Sequence, residues 1–187
     1  MTLYTKKGDT GETSLLFGHR LSKADSRTEA YGSLDSAISA MGLGRANCSD
    51  QYVKETLLRI QRELFTVGSE LATQPSDLDK LEKHFAPVTS SMVTNLESEI
   101  DSLKSKIKLP RAFIVPGASP GSAAIDLARS LLRTAERRAV ALKDQGELPN
   151  LEILKYLNRL SDLLFILARY EDRDLPFELT TGESVSK

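Results

Sequence analysis

Residues 150–170 read NLEILKYLNRLSDLLFILARY. Leu154, Leu157, Leu160, Leu164 and Leu167 recur at intervals of three and four, the spacing that collects side chains on one face of an α-helix. Asn150 supplies the cap at its start. A leucine face of that length must be buried against others of its kind, and the preceding chain provides them. Pro120-Gly121-Ser122 opens a long helix to about Gln145, stopped by Gly146 and Pro149. Met92, Leu96, Ile100, Leu103 and Ile107 form a stripe from about Thr89 to Lys108-Leu109-Pro110. Val53, Leu57, Ile60, Leu64, Val67 and Leu71 follow a cap at Ser49-Asp50. Ala30, Leu34, Ile38 and Met41 mark a helix that begins about Asp25. No convincing strand pair competes, so the pattern predicts an all-α protein.

Residues 1–24, with Gly8, Gly11 and Gly18, read as loop. Residues 73–87 carry two prolines and much charge and read as a long surface connection. Phe113-Ile114-Val115, closed by Pro116-Gly117, is too short for more than an extended segment or turn. Residues 171–187 form a polar tail. One domain over 1–187 is expected: an N-terminal loop (1–24), a helical bundle (25–170) and the tail (171–187).

Composition excludes several functions. The chain has 187 residues with 25 basic and 26 acidic side chains, so a general nucleic-acid or membrane-surface role has no electrostatic support. A single cysteine, Cys48, precludes an intrachain disulfide framework, and two histidines, His19 and His84, make no metal-binding pattern. No apolar run of about 18 residues spans a bilayer, and the opening residues have no apolar signal core. A cytoplasmic protein is expected.

Three constellations carry chemistry. Thr5-Lys6-Lys7-Gly8-Asp9-Thr10-Gly11-Glu12-Thr13-Ser14 combines glycines, lysines and hydroxyls, a mixture that lets backbone N–H groups and cations converge on an anion. It has no Gly-Lys-Ser/Thr and is not a Walker A loop. On the long helix, Arg129, Arg133 and Arg137 stand at i, i+4 and i+8, a column of like charge relieved by a bound anion or a carboxylate from elsewhere. On the last helix, Asn158, Asp162 and Phe165 share a polar face ending in an aromatic. Neither histidine nor Cys48 has a partner suggesting nucleophilic catalysis.

Taken in order, these blocks resemble the PduO-type corrinoid adenosyltransferases. The likeness runs through Tyr4-Thr5-Lys6-Lys7-Gly8-Asp9-Thr10-Gly11, Lys23, Glu29-Ala30-Tyr31-Gly32-Ser33-Leu34-Asp35, Phe113-Ile114-Val115-Pro116-Gly117, Ala128-Arg129-Ser130-Leu131-Leu132-Arg133-Thr134-Ala135-Glu136-Arg137-Arg138, and Leu157 to Phe165. The resemblance implies a five-helix, ferritin-like up-down bundle assembled as a homotrimer, with active sites between subunits. It implies transfer of the 5′-deoxyadenosyl group of ATP to cob(I)alamin, with Mg²⁺ and release of triphosphate. By the same resemblance, Thr5, Lys6, Lys7, Gly8, Asp9, Gly11, Thr13, Ser14, Lys23, Arg133, Glu136, Arg137 and Asn158 bind ATP. Phe113 and Phe165 line the lower face of cobalamin, Arg133 and Phe113 act in catalysis, and Arg129 pairs with Asp35 of a neighbouring subunit. No protein-held metal is implied. A cob(II)alamin reductase and an adenosylcobalamin-dependent enzyme are the partners to expect, with no nucleic acid and no membrane.

The chain departs from the family pattern at Thr134, where a second arginine is usual, at Thr10, where lysine is common, and at the second Pro-Gly, Pro120-Gly121. Two other readings stand beside this one. One is a non-catalytic helical module that binds nucleotide or a partner through the arginine face. The other is a carrier of adenosylcobalamin. Phe113, read alone in its apolar triplet, is a core aromatic.

Overall fold

A computed structural model describes residue 4, residues 6–182 and residues 184–185, and most of these are helical. Among the described residues six α-helices follow one another: α1 Ser26–Asn47, α2 Gln51–Leu71, α3 Leu78–Leu81, α4 Ser90–Lys104, α5 Pro120–Asp144 and α6 Glu152–Glu171. Their starts are set locally. The Asp25 carboxylate accepts from the Arg27 N–H at 2.8 Å, and the Asp50 carboxylate accepts from the Val53 N–H at 3.1 Å. Ser119 and Ser122 form a reciprocal capping box around Pro120, which has no N–H to lose at the first helical position.

Helix α6 is the axis of the core. Leu157, Leu160, Leu163, Leu164 and Leu167 are all fully buried, together with Tyr156. The stripe read from sequence is therefore widened by Leu163 and Ile166, as expected of a helix covered on several sides. It packs against α5, α4 and α2, while α1 runs along α5 and α2. Arg27, 4% exposed, ties the start of α1 to the far ends of its neighbours. It donates to the carbonyls of Leu71, Thr73 and Glu147 and to the Glu147 carboxylate.

The structure corrects the sequence reading in three places. The stretch 73–87 is not merely irregular: among the described residues it holds the single-turn α3, a sixth helix beside the five long ones, with Asp77 at its start and Leu81 at its end both buried. The N-terminal segment is not simple loop, because β1 Glu12–Ser14 pairs antiparallel with β2 Arg20–Ser22, with Thr13 opposite Leu21. The tail is not simply polar. Phe177 and Leu179 are buried, β3 Phe177–Glu178 pairs with β4 Ser184–Val185, and Leu179 bridges back to Ile114. Small strands are therefore present in a fold expected to be all-α. Strands of two or three residues show no alternation long enough to be read.

Candidate functional site

The β1–β2 hairpin builds the first half of the site. Gly11 has φ +83°, a left-handed conformation open to glycine, and its carbonyl accepts from the Lys23 N–H at 2.9 Å. The Lys23 ammonium turns back to the Gly8 carbonyl at 2.8 Å. These contacts close a cavity of about 310 Å³ lined by Lys7, Gly8, Glu12, Thr13, Ser14, Arg20 and Lys23. Arg20 was missed by sequence reasoning. It donates to the Glu12 carboxylate at 2.8 Å and the Lys7 carbonyl at 3.1 Å, a cross-strand pairing that only the hairpin register reveals. The hairpin is docked on the bundle by buried Leu15, by the Leu16 N–H on the Ala72 carbonyl at 3.1 Å, and by His19 against Asp77 at 2.8 Å. Lys80 holds the other Asp77 oxygen at 2.6 Å, and this ammonium is the main reason the carboxyl lies below its usual range. Thr5 lies outside the described residues. Lys6 and Asp9 are exposed beside the cavity residues in sequence but do not line it.

The second half lies on α5 and α6. Arg133 and Arg137 are exposed on α5. Arg137 donates to the Thr134 hydroxyl at 2.9 Å, so the residue that departs from the family pattern orients its neighbour. Glu136 accepts from the Asn158 amide at 2.9 Å, which fixes these two side chains together across the helix pair. Arg133 makes no hydrogen bond or ion pair among the described residues. None of these α5 and α6 side chains lines the hairpin cavity. One chain thus carries two groups of cationic and polar side chains that it does not join.

The two aromatic candidates have different settings. Phe113 is 82% exposed, which overturns its reading as core. Phe165 is half-buried, with the guanidinium carbons of Arg129 and Arg169 at 5.7 and 5.4 Å from its ring centroid. Arg169 forms a buried ion pair with Asp126. Burial pushes the Asp126 carboxyl up, against the opposing pull of Arg169. The Arg129 Nε is buried with no hydrogen-bond partner. Asp35 is exposed on α1 and has no ion pair within the chain among the described residues, so the expected Asp35–Arg129 contact is not made inside one copy. Asp35 instead borders a cavity of about 360 Å³ shared with Tyr31, Phe65 and Gly68.

The model of the cobalamin adenosyltransferase family matches residues 3–171. The chain belongs to this family. It is similar to the corrinoid adenosyltransferase PduO of Salmonella typhimurium, with 36% identity over 174 residues, covering 93% of this chain and 51% of that protein. It is also 40% identical over 173 residues to the corrinoid adenosyltransferase of Bacillus subtilis, covering 90% of this chain and 86% of that one. The chain therefore spans about half the length of the PduO relatives it matches. A variant PduO-type ATP:corrinoid adenosyltransferase from Lactobacillus reuteri, complexed with cobalamin and ATP, superposes with a TM-score of 0.87 at 32% identity. That match covers 99% of this chain and 100% of the other. A second variant from the same organism, complexed with ATP, gives a TM-score of 0.80 at 35% identity over 90% and 93% of the two chains.

For an adenosyltransferase-family chain, the donor set is informative. Among the described residues no three His, Cys, Asp or Glu side chains are grouped to hold a metal ion. Mg²⁺ commonly takes one or two carboxylates and completes its shell with phosphate oxygens and water. Glu136, with one carboxylate oxygen held by Asn158, fits a cation that arrives on a polyphosphate. No helix among the described residues is long and apolar enough to cross a membrane.

Proposed function

We propose that this chain transfers the 5′-deoxyadenosyl group of ATP to cob(I)alamin, forming adenosylcobalamin and triphosphate. The observation that carries the reading is the superposition, over nearly the full length of both chains, on a variant enzyme complexed with cobalamin and ATP. The residues suit the chemistry. The cobalt(I) electron pair attacks C5′, the cobalt–carbon bond forms as the C5′–O5′ bond breaks, and the released pair stays on the triphosphate oxygen. The corrinoid is the nucleophile, so no serine, cysteine or histidine is required. The protein's task is to align ATP and stabilise the charge on the leaving group. Lys7, Thr13, Ser14 and Lys23, with the backbone around Gly8 and Gly11, cradle the triphosphate from the hairpin. Arg133 and Arg137 grip it from α5, and Asn158 with Glu136 orients the nucleotide. Mg²⁺ held by the triphosphate and Glu136 would neutralise developing charge. Phe113 and Phe165 cover the lower side of the corrin and exclude water and the nucleotide base from cobalt. An apolar ring there removes an axial donor and makes cob(II)alamin easier to reduce.

The division of the anion-binding groups between two surfaces supports sites built between copies. On this reading, the hairpin of one subunit faces the arginine column of the next in a homotrimer, with Asp35 meeting Arg129 of its neighbour. Residues 1–24, 25–170 and 171–187 act as nucleotide segment, bundle and tail of one domain. The protein works in the cytoplasm beside a cob(II)alamin reductase and an enzyme that consumes adenosylcobalamin. The test is an anaerobic assay with ATP and chemically reduced cobalamin, following the cobalamin spectrum. Conversion to adenosylcobalamin with stoichiometric triphosphate is expected. Binding of both substrates without conversion would instead identify a carrier.

A further inference from the structure

Phe113 stands on an exposed segment between α4 and α5, and its backbone is held by the tail. The Val115 N–H donates to the Glu178 carbonyl at 2.8 Å, and the Thr180 N–H donates to the Phe113 carbonyl at 3.1 Å. Between these bonds, Ile114 and Leu179 oppose each other as an antiparallel bridge. Successive side chains on extended backbone point to opposite sides. The pairing that turns half-buried Ile114 one way therefore turns exposed Phe113 and Val115 the other. A slip of one residue would exchange the two sets. The tail is itself anchored, because Phe177 and Leu179 are 4% and 6% exposed and the Gly182 N–H closes a turn on the Leu179 carbonyl at 2.9 Å. All of these tail residues lie beyond residue 171, where the family match ends.

We propose that residues 177–180 are a positioning element of the corrinoid site, fixing the backbone of Phe113 so that its ring is presented to the lower face of the corrin. This inference rests on the reading of Phe113 as a corrin-facing aromatic. Residues 177–180 act on the substrate through Phe113. Phe113 is exposed, so disturbing its direction should leave the bundle and the ATP surfaces intact.

Thr180→Pro removes the N–H that holds the Phe113 carbonyl, while Thr180→Ala keeps it. Each is compared with Phe113→Ala and with the Phe113→Ala, Thr180→Pro double variant, using full-length protein of verified thermal midpoint. Thr180→Pro should lower kcat with cob(II)alamin and a reductant by about 10- to 100-fold, the penalty for a small misplacement of a positioned group. It should also abolish the spectral signature of four-coordinate cob(II)alamin and leave ATP affinity unchanged. Thr180→Ala should behave as the parent. On the Phe113→Ala background, Thr180→Pro should cost nothing further, because the group it positions is already gone. Should Thr180→Pro fail to fold, Leu179→Ala, which keeps every backbone donor and loosens the buried anchor, takes its place in the same cycle. Independent, additive losses, or a folded Thr180→Pro protein with parental turnover beside an impaired Phe113→Ala, would overturn the positioning role. A fully active Phe113→Ala would overturn the corrin-facing role itself.

Discussion

The three arginines of the α5 column have different settings. Arg129 is stacked near Phe165 and Arg137 is held by Thr134, but Arg133 has no intrachain partner among the described residues. Like charges one turn apart cost a few tenths of a kcal/mol on an isolated helix, and a bound anion would offset that. A guanidinium can fork onto two phosphate oxygens where an ammonium makes a point contact. Arg133→Lys should therefore raise the barrier by roughly 2–4 kcal/mol, a loss of about 30- to 1000-fold in turnover, although charge is conserved. Steady-state kinetics with cob(I)alamin measures this, and an Arg133→Ala protein of unaltered turnover would remove the residue from the site.

The helices and hairpins pose their own constraints. The start of α5 lies against the end of α1 so closely that a Cβ on Gly121 would come within 2.9 Å of Cys48 Cα and 3.1 Å of the Asn47 carbonyl. The unusual Pro120-Gly121 thus has a packing explanation: proline starts the helix and glycine lets two backbones touch. Gly121→Ala should destabilise the protein by about 1–3 kcal/mol, the usual cost of overpacking, read as a drop in denaturation midpoint. The hairpin depends on Asp77, whose carboxyl is held low by Lys80 first and His19 second. A lowered carboxyl stabilises the fold fully above the ordinary carboxylate range, and that contribution is lost as pH falls through the lowered value. Asp77→Asn should reduce the melting temperature and ATP affinity at neutral pH. Melts at successively lower pH within and below the carboxylate range should show the gap to the parent closing. A gap that stays open once the pH has fallen through the carboxylate range would show that the Asp77 charge does not anchor the hairpin.

Three features of the single chain bear on the proposed assembly. Arg129 has a buried Nε without a hydrogen-bond partner, Asp35 has no ion pair, and Phe65 beside the Asp35 cavity is 65% exposed. Exposed Leu16 lines the same cavity, and contiguous exposed apolar surface marks contact faces. A trimer is expected by sedimentation or light scattering. Asp35→Arg and Arg129→Asp should each reduce activity, and the two together should recover part of it if the residues meet across the boundary. A monomer with full activity would be incompatible with shared sites.

The amino-acid order was enough for the long helices, because caps such as Asp25, Asp50 and Ser119 act on N–H groups two or three residues away and the leucine faces repeat every turn. It was also enough for the polar motifs, whose residue types and order point to ATP and a corrinoid through the family likeness. It could not show the direction of Phe113. Phe113-Ile114-Val115 reads as core, and only pairing with a tail strand far along the chain decides which of the three faces outward. The same holds for Arg20, which reaches the hairpin cavity through strand register, and for the Asp126–Arg169 pair beside Phe165, which joins two helices. Periodicity and capping are local properties carried by neighbouring residues, whereas strand register and ion pairing between elements exist only once the chain has folded back on itself.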